Sequence, residues 1–422
     1  MQAKRTRKTF TASLKTVAAA LACATASFAA HGAPATPSEI KIGTLFASSG
    51  PFAVASLGQY EGLKFWAAQV NKDGGAFIKA YNKKIPVKIV AYDDQSSTAT
   101  ATTLYNQLIT QDKVDVLVSD FGSVLTSVAV PLAAEHKMLL IDPTGSGANF
   151  FTQKTDYLAD VSIPSSTVWP IPLANFLLQQ KIKRVAIVYD ANDFDASQAE
   201  TMKAELTKGG VAPVFYKSVP TTESNYNVLL HTAKASNPQA LLEFGYPPND
   251  IAFLRSLSQS GLHFDMTFTI FPGQLLDLLK KNVGVKSLAY TYTYPTPPLV
   301  KYDKVTYGMN TADFVSAFNT SEKKQPNFLD ASGYNTGIVV QKMLEDSPNF
   351  TQKDFHQALM DMSDKTTTLL GLFKINENGA QLGQPFPVAQ LVPNAKGDDL
   401  SVNVVYPEDH ATAKPVFPAP KQ

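Results

Sequence analysis

Ile40-Lys41-Ile42-Gly43-Thr44-Leu45-Phe46 is a short apolar run rich in β-branched residues, and residues 61–71 follow it with Leu63, Phe65, Trp66, Ala67 and Val70 at helical spacing. The first reads as a buried strand and the second as an amphipathic helix. The same alternation continues outward from this pair. Val87-Lys88-Ile89-Val90-Ala91-Tyr92 reads as a strand, 99–110 as a helix and Val114-Asp115-Val116-Leu117-Val118 as a strand. A helix over 125–135 and the strand Met138-Leu139-Leu140-Ile141 complete the series. Continuous apolar strands separated by helices predict a parallel sheet covered on both faces.

A second series begins after Ile163-Pro164-Ser165-Ser166, with a helix near 169–180 and the strand Val185-Ala186-Ile187-Val188-Tyr189. Further strands are expected at 213–216, 240–244, 266–270 and 288–293, with the clearest intervening helix at 250–260. The fold class is therefore α/β, with two doubly wound, Rossmann-like lobes. Beyond Tyr294 the pattern gives helices near 312–318, 332–344 and 353–362 and a strand-like run, Pro387 through Val392. These elements make too small a sheet to stand alone, so they are expected to complete the two lobes. The expected division is 34–163 with about 295–380, and 164–294 with about 381–406. The Pro-rich tail 407–422 is expected to be poorly ordered.

The chain has 422 residues, 44% hydrophobic and 17% charged, which excludes a disordered polyelectrolyte. Lys+Arg 37 against Asp+Glu 36 gives a formal charge of +1, too balanced for a nucleic-acid or membrane-surface binder. Residues 1–29 carry Lys4, Arg5, Arg7, Lys8 and Lys15, no acid, and then a short run of small apolar residues ending near Ser27-Phe28-Ala29. That is the pattern of a secretory leader, with Ala33 as a later cleavage limit. Export to the periplasm is expected, with a mature charge of about −4 once the five basic residues are removed. Cys23 is the only cysteine and lies in the leader, so the mature chain needs no disulfide. Leu21-Ala22-Cys23 also resembles part of a lipoprotein signal, but Ala20 stands where a larger apolar residue is usual.

Motifs for chemistry are missing from the sequence. It has no Gly-x-Ser-x-Gly elbow, no phosphate loop and no His-Glu-x-x-His, so no catalytic residue, metal or cofactor is expected. Gly145-Ser146-Gly147-Ala148-Asn149-Phe150 approaches the dinucleotide fingerprint, but Phe150 replaces the third glycine. It reads better as a turn at the carboxyl end of a strand, where open α/β sheets bind ligands. Asp190-Ala191-Asn192-Asp193-Phe194-Asp195 begins like a calcium loop, but Phe194 takes a ligand position and Asp195 the place of the turn glycine. An acidic loop leading into a helix N-terminus is the simpler reading. Asp93-Asp94 is expected to cap a helix. Phe52, Phe121, Phe194, Phe244, Tyr246 and Phe271 all fall at or near the carboxyl ends of predicted strands, so an aromatic cleft is expected.

The leader, Ile40 to Gly43 with Ser49-Gly50-Pro51, Asn71-Lys72-Asp73-Gly74-Gly75, Tyr92 to Gln95, Ile141-Asp142-Pro143 and Arg184 to Val188 occur in a telling order. In that order the chain resembles the periplasmic solute-binding proteins of ABC transporters, in the branched-chain amino acid and amide-binding family. The resemblance implies two lobes joined by a three-segment hinge, with ligand closing the cleft. It also implies a monomer that passes a small-molecule ligand to permease subunits in the inner membrane. Carried over by position, Ser123 with Gly122 would meet a ligand carboxylate at a helix N-terminus. Thr144, Gly145 and Ser146 would form a second contact loop. Phe194, Tyr246 and Phe271 stand at or near lobe-two positions that face the ligand.

One departure from the family pattern bears on the ligand. Amino-acid binders carry an acid after a lobe-two strand to receive the ammonium group, whereas this chain has Phe271-Pro272-Gly273 there. An unpaired buried ammonium is costly, so the expected ligand is a small carboxylate with an apolar or aromatic body, unless Asp142, Glu243 or Asp120 serves instead. The alternatives are a ligand-sensing subunit of a membrane receptor and a secreted α/β hydrolase.

Overall fold

The computed structural model describes residues 1–2, 36–302 and 304–421. The expected leader and Cys23 lie outside the described residues. Strand β1 (Ile40–Phe46) leads into α1 (Ala53–Lys72), a hairpin of β2 (Ala76–Ile78) and β3 (Lys83–Ile85), and β4 (Val87–Asp93). Next come α2 (Thr98–Thr110), β5 (Val116–Val118), α3 (Gly122–Glu135), β6 (Leu140–Asp142) and β7 (Leu158–Asp160). They build a wholly parallel sheet in the order β4-β1-β5-β6-β7. β1 is apolar on both faces because it is the interior strand that helices cover from either side.

After a crossing at 161–169 the chain forms α4 (Pro170–Gln179), β8 (Val185–Asp190), α5 (Asp193–Lys208), β9 (Phe215–Val219), α6 (Asn227–Ala235) and β10 (Ala240–Phe244). α7 (Pro247–Ser260), β11 (Met266–Phe268), α8 (Leu276–Val283), α9 (Val285–Leu288) and β12 (Tyr292–Thr293) follow. It then returns as α10 (Thr311–Glu322), α11 (Phe328–Asp346), α12 (Gln352–Met362) and the hairpin β13 (Thr366–Thr368) and β14 (Gly371–Phe373). Finally β15 (Val388–Pro393) and β16 (Leu400–Tyr406) join the second sheet, ordered β16-β15-β12-β11-β10-β8-β9. That sheet is parallel from β9 to β12 and antiparallel across β12-β15-β16. Phe314, Tyr334, Val339 and Phe355 share one core with Ile40 and Val116, so α10 to α12 pack with the first sheet.

Glycines allow α1 and α11 to meet backbone to backbone. A Cβ at Gly333 would stand 1.8 Å from the Gln59 carbonyl oxygen, and one at Gly62 would stand 2.0 Å from that of Asp330. No larger residue fits this crossing. α11 starts in a reciprocal cap: Asn327 Oδ1 accepts from the Asp330 amide and Asp330 Oδ2 from the Asn327 amide.

Several sequence expectations need correction. Ser97, rather than Asp93 or Asp94, caps α2, its hydroxyl accepting from Thr100 N–H at 3.3 Å. Asp93 instead ties down the loop after β1, accepting from the Ser48 amide and hydroxyl, and Asp94 fixes the turn before α2, accepting from the Ser96 amide. The strand expected over 288–293 is only Tyr292–Thr293, because Leu288 ends α9. β7 and β16 were not foreseen. The tail is packed rather than loose: Val416 N–H donates to Gln390 Oε1 at 2.8 Å, and Val416 O accepts from Gln390 Nε2 and the Tyr292 hydroxyl. Ala419 N–H reaches Asp265 O at 2.7 Å, so the tail is strapped across the second sheet by main-chain bonds that proline content does not reveal.

Candidate functional site

Loops leaving the carboxyl ends of parallel strands in the two sheets meet and form the junction. α3 begins there with no side-chain cap, so its first amides need other acceptors. Gly122 N–H donates to Thr144 Oγ1 at 3.0 Å, and Ser123 N–H donates across the junction to the Tyr246 hydroxyl, also at 3.0 Å. Gly122 has φ +75°, and a Cβ there would press on the Tyr246 hydroxyl at 3.0 Å and on its ring at 3.1 Å. Glycine therefore serves both the left-handed backbone and the close approach of the ring. Ser123 Oγ accepts from Gly147 N–H at 2.9 Å, which holds the 144–147 loop on α3. Thr144 Oγ1 donates to Gln59 Oε1 at 2.7 Å.

Aromatic rings from both sides meet in this space. Tyr246 lies edge-on to Phe52 at 5.4 Å and to Phe121 at 6.0 Å, at 5.3 Å from Phe194, and stacked on Phe271 at 6.4 Å. Trp169 meets Phe194 at 5.2 Å and Phe386 at 4.4 Å. These separations suit edge-to-face and offset contacts, which add to ordinary apolar burial. The cavity between them has about 10 Å³ for the centre of a water-sized sphere, roughly one water. Phe121, Gly122, Thr144, Ile163, Trp169, Phe194, Tyr246, Phe271, Gln274 and Phe328 line it. The two sides are further joined where Asp193 Oδ2 accepts from Asn149 N–H at 3.0 Å.

Of the residues singled out from sequence, the cavity gathers Phe121, Gly122, Thr144, Phe194, Tyr246 and Phe271. Ser123 lies one residue behind it, linked to Tyr246. Gly145 instead faces Asp142 and Thr126, where a Cβ would come within 2.5 Å of a side-chain oxygen of each. Ser146 is fully buried, and its hydroxyl has no hydrogen-bond partner. Trp169, Ile163, Gln274 and Phe328 were missed. They come from the crossing segment, a turn after β11 and the start of α11, and only the closed tertiary packing brings them together.

None of the three acids considered as ammonium partners lines the cavity. Asp142 is fully buried and accepts from the Ser119 hydroxyl at 2.7 Å and Gly145 N–H at 2.8 Å, and burial lifts its carboxyl to about 6. Asp120 accepts from the Ser56 hydroxyl and Phe121 N–H, and burial together with neighbouring Asp94 raises its pKa well above the carboxylate range. Glu243 is buried beside Asp250 and Asp190, and desolvation followed by their charge keeps it protonated well above the usual range. Among the described residues there is no group of His, Cys, Asp and Glu side chains suited to a metal ion.

A family model described as periplasmic binding protein matches residues 39–398. The Leu/Ile/Val/Thr-binding protein of Salmonella typhimurium is 25% identical over 370 residues, covering 86% of this chain and 93% of its own length. The fold matches a Streptococcus pneumoniae branched-chain amino acid transporter substrate-binding protein solved with isoleucine. The TM-score is 0.72 at 18% identity, covering 87% of this chain and 100% of that one. It also matches a solute-binding protein of an ABC transporter from R. palustris solved with benzoate, at a TM-score of 0.69 and 18% identity over 88% of this chain and 98% of that one.

Proposed function

The chain belongs to the periplasmic binding protein family, and we propose that it captures a small organic carboxylate with an apolar or aromatic body between its two lobes and delivers it to an ABC permease. The observation that carries this reading is the lining of the junction cavity, where aromatic rings meet the N-terminus of α3 and no lining side chain is an acid. While the junction is shut Thr144 Oγ1 and Tyr246 Oη accept from the Gly122 and Ser123 amides, and opening would free these helix N-terminal amides for a carboxylate, whereas an ammonium there would have no counter-charge. The protein acts after export, as a monomer without metal or cofactor, and performs no covalent chemistry. In this reading Ser123 and Gly122 meet the carboxylate, Thr144, Gly145 and Ser146 shape the loop beside it, and Phe194, Tyr246 and Phe271 pack on the body. One ligand chemistry among the solved relatives, benzoate, fits this description, and so does the departure at Phe271-Pro272-Gly273 from the family's ammonium-binding acid.

The cavity is too small for such a solute while the lobes are shut on their own aromatic rings, so capture requires opening at the hinge and re-closure on the ligand. A thermal-shift screen of the exported protein, freed of carried solute by refolding, tests the proposal. At 100 times its dissociation constant a ligand adds about 2.7 kcal/mol, a rise of several degrees. Benzoate, phenylacetate and medium-chain aliphatic acids should raise the melting temperature, and leucine and valine should not. A shift with the amino acids alone would refute the ligand class.

A further inference from the structure

Gln274 is the one polar side chain in the cavity wall whose hydrogen-bonding groups are all uncommitted. It is 2% exposed, and neither its Nε2 nor its Oε1 has a partner. Its backbone is tied down, with Gln274 N–H donating to Phe271 O at 2.9 Å. The other polar groups of the wall are already engaged. Tyr246 Oη accepts from Ser123 N–H, Thr144 Oγ1 donates to Gln59, and Trp169 Nε1 donates to Pro164 O at 2.6 Å. Around Gln274 the wall is aromatic and aliphatic: Phe121, Ile163, Trp169, Phe194, Phe271 and Phe328.

A primary amide offers two donors and an acceptor and carries no charge. Buried without partners it costs stability that a leucine of similar size would not. An amide in this position suits a ligand group that both donates and accepts, and a hydroxyl does both at one atom. A second carboxylate would leave Oε1 facing negative charge, and an unsubstituted ring would leave the whole amide unpaired. We propose that Gln274 is a specificity-determining residue that reads a hydroxyl on the body of the bound solute, so the favoured ligand is a hydroxylated aromatic carboxylate. This rests on the reading of the junction as a carboxylate site given above.

The test is calorimetric titration of the exported protein with benzoate and with each of the three monohydroxybenzoates, repeated on Gln274→Leu and on the volume-matched Gln274→Met. In the wild type at least one hydroxybenzoate should bind about tenfold or more tightly than benzoate, because sites built to hydrogen-bond a hydroxyl reject the analogue lacking it. Both variants should bring that ratio below about threefold by losing the hydroxylated ligand while keeping or improving benzoate. A wild type that binds benzoate and every hydroxybenzoate alike would overturn the role of Gln274 and leave the carboxylate site standing. A ratio preserved in either folded variant would do the same. Binding of none of the four by the wild type would overturn the carboxylate reading and this inference with it.

Discussion

Tyr246 is the residue on which the closed junction turns. Its ring touches Phe52, Phe121, Phe194 and Phe271, and its hydroxyl accepts the first-turn amide of α3 from the opposite lobe. Burial raises the pKa of the hydroxyl, so it stays a neutral phenol throughout the working range. In Tyr246→Phe the Ser123 amide loses its acceptor when the lobes are closed but reaches water when they are open. The closed, solute-free form should lose about 1 to 3 kcal/mol relative to the open one. Small-angle scattering of the solute-free variant should then show a larger radius of gyration than the wild type, and superimposable curves would remove the hydroxyl as a latch. Phe194, Tyr246 and Phe271 were legible in the sequence because each follows a strand with a clear apolar signature. Gln274 was not, since a single glutamine after Phe271-Pro272-Gly273 gives no periodic signal and acquires meaning only from its unpartnered amide and its neighbours.

At the scale of elements, the strand ends of the second sheet carry a buried acidic cluster. Asp190 ends β8, Asp195 lies in the first turn of α5, Glu243 is in β10 and Asp250 in α7, and all four are buried. Among the described residues none has a salt-bridge partner. The groups facing them include the Tyr226 hydroxyl, the Asn192 amide, Phe271 N–H, the Tyr246 amide, the Thr269 hydroxyl and, as a further acid, Glu223. Burial lifts Asp190 to about 7 and Asp250 to about 8, and Glu243 and Asp195 are likewise raised, first by burial and then by the charges beside them. Both shifts favour protonated carboxyls in the folded state, where a proton can satisfy oxygens that two carboxylates would leave unpaired. These native pKa values exceed the unfolded ones, so the folded state holds more protons between about pH 4 and 8. Their stabilisation is complete below the unfolded pKa and is lost as pH rises, by up to about 1.4 kcal/mol per group per pH unit. Calorimetric melting at pH 5 should exceed that at pH 8, and Glu243→Gln should flatten the difference. A melting temperature that rises from pH 5 to pH 8 would contradict the raised pKa values of this cluster. The strands of this cluster were readable from their apolar runs, whereas the acids were not, because Glu243 interrupts an apolar run without any local sign that it is buried.

For the whole molecule, the sequence's two alternating series translate into two sheets because each strand-helix unit can bury its apolar face only by stacking beside the next. What periodicity cannot show is how distant segments return. β15 and β16 run antiparallel on the edge of a parallel sheet, and the tail binds Gln390 and Tyr292 through main-chain groups. The contact between the lobes is likewise a property of the assembled chain, since Phe121, Ala55 and Phe328 from the first lobe share a core with the second. Whether the cleft takes an organic acid and refuses its α-amino counterpart can be read from one matched pair. Calorimetric titration of the solute-free protein with 3-phenylpropanoate and with phenylalanine varies only the ammonium group. 3-Phenylpropanoate should bind at least about 100-fold more tightly, the difference expected when a buried charge has no partner. Phenylalanine binding as tightly as, or more tightly than, the amine-free acid would contradict it.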